Sequence, residues 1–394
     1  MIWRNIASNF LTLLIVILIA AAAAVAWAKH QFSGPGPSSV AQCVQVAPGA
    51  SLNAVSKQLA EQGAISSSYI FRAGTDYLDK SRDLKFGSYM VPPNASMEDI
   101  VGVITAGGPS TCGTEVTLRI GVRENTTLLR DVDPGTGTYE EQARYVPGVE
   151  DKPQEIAAAE DQSDVRLRIT MAEGVTSWQV VEALKAADFL AGEISDVPPE
   201  GSLAPDTYEV DKGADRSAIL AEMARRQEAI LAAAWENRPF GLPYETPQEA
   251  LIMASIVEKE TGVAEERPQV ASVFVNRLER GMRLQTDPTV IYGITNGEGV
   301  LDRGIRRSEL NARTAYNTYQ IDGLPPTPIA NPGRAAIQAA LNPDTTEYVF
   351  FVADGTGGHA FARTLEEHNA NVARWREIEA QRGQETDSPV QTGE

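Results

Sequence analysis

Two acidic residues, Glu258 and Glu260, close the run ASIVEKET at residues 254–261 and have the type and spacing to move protons. A carboxylic acid donates a proton to a leaving group, and the carboxylate left behind can take one up from an incoming hydroxyl. A helix advances about 100° per residue, so with Met253 at zero Val257 falls near ~40°, Ile256 near ~300° and Glu260 near ~340°. Glu260 therefore shares the apolar face, whereas Glu258, near ~140°, lies at its edge, on the side of Leu251 and Ser255. On this reading only Glu260 enters a low-dielectric setting, where its charged form is disfavoured and it holds a proton as a general acid must. The structural alternative is a buried ion pair with Arg267, Arg277 or Arg283.

Further polar candidates lie in MRLQTDPTVIYGI at 282–294. Asp287 is a natural N-cap with Pro288 at the first helical position, which places Gln285, Thr286 and Asp287 on a loop at a helix N-terminus. Plain capping explains Asp287 fully and Gln285 not at all. AYNTY at 315–319 alternates rings and amides, as in a strand that offers both to one side; sugar sites use stacked rings and amides this way, and a half-buried edge strand is the alternative. DGTGG at 354–358 lacks the Lys-Ser/Thr ending of a phosphate loop and reads as a hairpin turn. His359 opens the returning strand, either lining a cleft or lying at the surface. With two cysteines and three histidines, His30, His359 and His368, no zinc-ligand spacing occurs, and neither a metal nor another cofactor is expected.

The elements that must hold these residues are well punctuated. TPQE at 246–249 supplies an N-cap, a proline at the first helical position and a capping box, and Gly262 supplies the stop, so a helix is predicted over 247–261. A second helix is predicted over 268–280, antiparallel to the first, with Gly281 past its end. GLPPTPIANPG at 323–333 is a rigid connector into a helix capped by Asn331 with Pro332 first. A strand at 348–353, the glycine turn, HAFA at 359–362 and a helix capped by Thr364 with Glu367 complete this half. Residues 378–394 read as a polar, frayed tail.

The other half begins with nineteen uncharged residues, 10–28, close to the length that spans a bilayer as a helix, with Trp3 and Trp27 at its ends. Arg4 and Lys29 leave its orientation unassigned by charge, and a cleaved signal is the alternative reading. Residues 29–42, rich in Gly, Pro and Ser, read as a linker. Residues 43–112 read as a small α+β module: a strand at 44–46, a helix capped by Ser51, a second from Ser66 and a third from Ser96. Cys43 and Cys112 allow one disulfide if the bulk of the chain is exported, and two buried thiols otherwise. Residues 115–132 weakly repeat 164–184, each as a strand followed by a helix start. Residues 133–162 between them, rich in Gly, Pro, Glu and Asp, read as a partly disordered surface insertion. The formal net charge of −19 excludes the basic surface that nucleic-acid binding needs.

Three long segments together resemble one family: 253–294, AYNTYQIDGLPPTPIANPG at 315–333, and YVFFVADGTGGHAFARTLEEHN at 348–369. They are similar to the endolytic murein transglycosylases of the MltG (YceG-like) family, across 165–375 and more loosely at 43–108, which is similar to that family's LysM-like subdomain. The 133–162 insertion and the cysteine pair depart from the family pattern. The resemblance implies an α+β fold with a cytoplasmic N-terminus (1–9), a single transmembrane helix (10–28), a linker (29–42), a LysM-like subdomain (43–112), a strand with an insertion (113–164), a YceG-like catalytic domain (165–377) and a disordered tail (378–394). It implies an inner-membrane, largely periplasmic lyase that cuts the MurNAc-GlcNAc bond within nascent peptidoglycan strands, leaves 1,6-anhydro-MurNAc ends and so terminates glycan elongation. Peptidoglycan synthases are candidate partners. The family's catalytic glutamate falls on Glu260, and Gln285, Thr286, Asp287, Asn317 and Tyr319 would line the cleft. A hydrolase using two carboxylates, Glu260 with Asp287 or Glu258, and a non-catalytic, membrane-tethered glycan-binding scaffold are the alternatives.

Overall fold

The computed structural model describes residues 2–108, 110–133, 136, 138–162 and 164–386, with side chains described from residue 10 to 381. The chain divides into two compact units, one formed by Met1–Thr117, Thr127–Tyr145 and Lys152–Arg168 and the other by Leu118–Thr126, Val146–Asp151 and Ile169–Glu394.

The first unit opens with helix α1 (Ile2–Ser33), whose stretch Phe10–Ser33 is long and apolar enough to cross a membrane by length and composition. The side chains of Trp3 and Arg4, expected at its start, lie outside the described residues. The helix does not stop at residue 28 as expected, because nothing between Lys29 and Ser33 breaks it; Gly34 and Pro35 do. Residues 29–33 are thus helical, and residues 34–38 are no free spacer, since the Gly36 N–H donates to Asn94 O (3.1 Å) and the Asn94 N–H to Ser38 O (2.7 Å).

Phe32 seats the last turn of α1 in the small module beyond it, its ring occupying the space a Cβ on Gly74 would need. That module consists of β1 (Gln42–Val46), α2 (Leu52–Glu61), α3 (Ser68–Tyr77), β2 (Gly87–Val91) and α4 (Met97–Ala106), with β1 and β2 antiparallel. Helices α2, α3 and α4 are capped by the hydroxyls of Ser51, Ser67 and Ser96. Val44, Leu59, Phe71, Ile100 and Ile104 form its core, and a disulfide joins Cys43 to Cys112.

Next come β3 (Glu115–Ile120), β4 (Asn125–Val132), β5 (Tyr139–Tyr145), α5 (Gln154–Glu160), β6 (Arg166–Met171) and, after α6 (Ser177–Ala186), β7 (Thr207–Val210). The sheet order is β5-β4-β3-β6-β7. Two expectations are corrected by this sheet. Residues 133–162 contain a strand and a helix that buries Ile156 and Ala159; YEEQARY pairs through its backbone along an edge, where polar side chains are tolerated and composition is a poor guide. The repeat at 115–132 and 164–184 holds only in its strands, because β3 leads into β4 whereas β6 leads into α6, which alone has a capping box, Thr176 with Gln179.

On β3, Glu115 is fully buried. Burial pushes its carboxyl up, but hydrogen bonds from Arg168, Arg130 and Thr117 outweigh this and hold it below the usual carboxylate range, with Arg166 at 3.7 Å.

The second unit continues with α7 (Arg216–Glu236), α8 (Pro247–Glu260), a 3-10 turn (Ala264–Glu266), α9 (Arg267–Glu279), α10 (Asp287–Thr295), α11 (Arg307–Asn311), α12 (Arg334–Leu341), the hairpin β8 (Phe350–Ala353) and β9 (His359–Ala362), and α13 (Leu365–Thr386). Helix α8 is its centre: Met253, Ile256 and Val257 pack with Val270, Ala271 and Phe274 of α9 and with Ile337 and Ala340 of α12. Alanines on α8, α9 and α12 let the three axes approach closely. Three further expectations change. Residues 315–319 form tight turns rather than a strand. Asn331 does not cap α12, whose N-cap is Gly333; its buried amide instead donates to Val175 O (3.0 Å) and accepts from the Leu203 N–H (2.9 Å). Residues 378–386 are helical as the end of α13, while 387–394 of the expected tail lie outside the described residues.

Candidate active site

Helix α8 begins where its sequence says it should: the Thr246 hydroxyl accepts from the Glu249 N–H, the Glu249 carboxylate accepts from the Thr246 N–H, and Pro247 opens the first turn. It ends at Glu260 because Thr261 is extended (φ −136°, ψ 131°) and Gly262 comes next. Glu260 is thus the last helical residue, at the end where backbone carbonyls gather and a negative charge is unwelcome.

Glu260 as a residue is half-buried, but its carboxyl is closely surrounded by protein. Burial pushes its pKa up; a hydrogen bond from Thr286 and electrostatic attraction toward His359 and Arg277 act in the opposite sense, while the Asp287 charge adds to the rise, and the net shift is upward. Its one side-chain hydrogen bond among the described residues comes from the Thr286 hydroxyl to Oε1. None of the three arginines considered as structural partners takes that place. Arg267 faces Glu258 and Glu173, Arg283 pairs with Asp322 (3.0 Å), and Arg277 donates to Val349 O (2.6 Å) and Leu284 O (2.7 Å).

Three buried threonines hold that donor in place. The Thr286 N–H donates to the Thr318 hydroxyl (3.0 Å), the Thr289 hydroxyl donates to Thr286 O (2.8 Å), and the Thr289 and Thr318 hydroxyls lie 2.9 Å apart. Thr286 itself is the N-cap of α10, and Asp287, expected to cap, is the first helical residue; the Thr286 side chain makes no capping bond because it serves Glu260.

The remaining predicted cleft residues separate into three groups. Asp287 is exposed and accepts from the Tyr319 hydroxyl (2.7 Å), and Tyr319 is pushed above the usual phenol range by burial and then by that carboxylate. Gln285 is exposed in the left-handed region (φ 50°), its N–H tied to Thr318 O (3.1 Å). Asn317 is fully buried, and its amide donates to the carbonyls of Glu309 (3.0 Å), Leu310 (3.0 Å) and Ala312 (2.6 Å), so it shapes the loop that carries Thr318 and Tyr319. His359 is paired with Glu266: its Nδ1 lies 2.8 Å from Glu266 Oε2, and its backbone N–H donates to Glu266 Oε1 (2.9 Å).

Glu260 is not the only carboxyl in a low-dielectric setting, as its helical angle had implied. The Glu258 side chain is 6% exposed, accepts from the Gly333 N–H (2.9 Å) and is also raised by burial. A helical wheel counts only apolar neighbours on one helix, whereas the 331–333 connector covers the other side of α8. Glu200, missed entirely in a loop with no periodicity, is raised by burial while accepting from the Ser177 N–H (2.8 Å) and the Tyr292 hydroxyl (3.2 Å). Lys259, lowered by burial, donates to Gly174 O (3.2 Å). Glu258 and Lys259 tie loops to α8, and Glu200 ties α6 to α10; Glu260, raised by burial at the end of α8, has the Thr286 hydroxyl as its one side-chain hydrogen-bond partner among the described residues. This arrangement can deliver one proton and receive another.

The sequence model of the YceG-like family matches residues 44–131 and 136–374. An endolytic murein transglycosylase of Bacillus subtilis is 47% identical over 98 residues, 25% of this chain and 26% of that protein. An endolytic murein transglycosylase of Streptococcus pneumoniae is 27% identical over 340 residues, 84% of this chain and 57% of that protein. The chain thus aligns with less than two thirds of the length of either relative. A solved structure, a putative yceG-like protein from Listeria monocytogenes, is 25% identical with a TM-score of 0.44, covering 84% of this chain and 98% of that one.

Proposed function

Because the chain belongs to the YceG-like family, we propose that it is an endolytic murein transglycosylase that cleaves the MurNAc-GlcNAc bond within peptidoglycan strands, with Glu260 as its acid and base. The observation that carries this reading is a carboxyl raised by burial and held at one oxygen by Thr286. Oε1 accepts from Thr286, which leaves Oε2 for the substrate. Protonated Glu260 gives its proton to the glycosidic oxygen as the bond to the MurNAc anomeric carbon breaks, releasing the GlcNAc 4-hydroxyl. The carboxylate then removes the proton of the MurNAc C6 hydroxyl, whose oxygen attacks the same anomeric carbon and closes a 1,6-anhydro ring. No water is consumed and Glu260 ends protonated, so one carboxyl suffices, in contrast to glycosidases that need a second to activate water or attack. The intramolecular hydroxyl is already placed, which removes the entropic cost of capturing a separate nucleophile. Asp287 and Tyr319, paired at the exposed edge, are suited to sugar hydroxyls, and Gln285 offers an amide to the same side.

The wider assignment rests on the family. The apolar helix and the disulfide fit a single-pass inner-membrane protein with its bulk in an oxidising periplasm. The strand-helix-helix-strand order of residues 43–91 fits a LysM-like subdomain, and residues 165–377 make the catalytic domain. Nascent strands as substrate, termination of elongation and neighbouring synthases belong to the same reading.

Digestion of purified glycan strands tests it. The parent is expected to release ends one water lighter than hydrolysis would give, and Glu260→Gln to lose about 10²- to 10⁴-fold in rate. Ends that carry added water would establish the two-carboxylate hydrolase, and an unimpaired Glu260→Gln would remove Glu260 from the mechanism.

A further inference from the structure

We propose that a groove outside the catalytic cleft, framed by Arg238, Arg267 and Arg334, binds the carboxylates of the peptide stems carried by a murein strand; this rests on the murein reading above and adds a second binding site to it.

The groove encloses about 700 Å³ between the C-terminal end of α7, the N-terminal end of α9 and the length of α12. None of Glu260, Thr286, Asp287 or Tyr319 lines it, although Ala264 and Arg267 lie only a few residues beyond Glu260 in the chain. Its lining combines alanines, Ile230 and Leu341 with the amides of Asn237, Gln338 and Asn342, and no acidic side chain among the described residues lines it. That combination suits an extended peptide with carboxyl groups better than it suits a bare sugar.

The cations are not equivalent. Arg267 is partly neutralised, with Glu173 at 3.5 Å and Glu258 at 3.8 Å, yet its Nε is buried without a hydrogen-bond partner among the described residues. Arg238 is held flat over the Trp235 ring, 3.5 Å from its centre, and donates to Trp235 O (2.6 Å); both contacts orient the guanidinium without cancelling its charge. Arg334 is exposed on the first turn of α12 and forms no ion pair with a described residue. Two uncompensated guanidiniums thus face an acid-free groove in a chain of net charge −19. The field over most of that surface repels anions, so a carboxylate-bearing ligand is drawn to this location in preference to others. Guanidinium geometry also suits bidentate contact with a carboxylate.

The test compares the full-length parent with Arg238→Ala/Arg334→Ala on glycan strands with intact peptide stems and on strands stripped of stems by an amidase. Both arginines are exposed, and matching thermal unfolding curves check that the double variant is folded. The parent is expected to show a lower KM on stem-bearing strands. The double variant should raise that KM by about tenfold with kcat unchanged, and should match the parent on stripped strands. Arg334→Glu alone should act in the same direction, and raised salt should shrink the parent's preference. Equal KM for parent and variants on stem-bearing strands overturns the groove proposal while leaving the murein reading intact. Failure of the parent to cut either strand overturns both.

Discussion

Replacing Thr286 with valine removes one hydroxyl and little else, since the isosteric side chain keeps its volume and the Thr286 backbone keeps its bonds to Thr318 and Thr289. The lost interaction is the donor to Glu260 Oε1, which favours the ionised carboxyl. A hydrogen bond to a charged group contributes roughly 1.5–3 kcal/mol and one to a neutral group about 1, so the ionised form loses about 1 kcal/mol more than the protonated form. The Glu260 pKa should therefore rise further above its already raised value. The acid must be protonated in the free enzyme, so the limb of the profile on which kcat/KM falls as pH increases should move to higher pH. Loss of the fixed carboxyl orientation should independently lower kcat by about tenfold across the plateau. The assay is the initial rate of anhydro-ended product release from defined strands between acidic and alkaline pH, with Thr286→Ser as a control that restores the donor. A limb that stays in place or moves to lower pH, while the variant remains folded, refutes the claim that Thr286 tunes Glu260.

Glu260 is raised in the folded protein, so it binds a proton there that it has lost in the unfolded chain. Its contribution is therefore favourable below the unfolded value and decays as pH rises through the folded one; Glu260→Gln should be the more stable protein at neutral pH, with the gap closing toward acidic pH in paired thermal melts. Asn317→Ala should remove the buried amide that ties together the carbonyls of Glu309, Leu310 and Ala312 and cost about 1–3 kcal/mol in denaturant unfolding. A rise in KM at unchanged stability would instead place Asn317 in the cleft. Glu115→Gln should destabilise by about 3–5 kcal/mol by leaving the arginines around it uncompensated. Because Glu115 is depressed in the folded state, the parent should lose this same stability as pH falls below the ordinary carboxylate range, so the difference between parent and variant shrinks in acid.

Much of the architecture was legible because it is written locally. The capping boxes at Thr246 and Thr364, the prolines that open α8, α9 and α10, and the serines before α2 and α4 each satisfy helix-end N–H groups or set a backbone angle within a few residues. Where local signals competed, the reading failed. Asn331 and Pro332 look like a helix start, but the Asn331 amide is drawn to partners at positions 175 and 203, more than a hundred residues earlier in the chain, and the start slips to Gly333. The turns at 315–319 look like a strand by alternation, but the carbonyls around Asn317 bond to its side chain instead of to a neighbouring strand.

The candidate site divides along the same line. Helical periodicity within α8 placed Glu260 on the face that meets the core, and that inference needed nothing beyond about 100° per residue. Periodicity could not report that Glu258 is covered from the other side by the 331–333 connector, that Glu200 joins from a loop without pattern, or that Thr286 rather than an arginine meets the Glu260 carboxyl. By itself the sequence determined which stretches become helices and which face of α8 is apolar, because backbone bonding and side-chain angle are decided within a few residues. Which polar group meets which carboxyl was decided only by the tertiary fold, because desolvation and hydrogen bonding act between atoms that packing, not chain proximity, brings together.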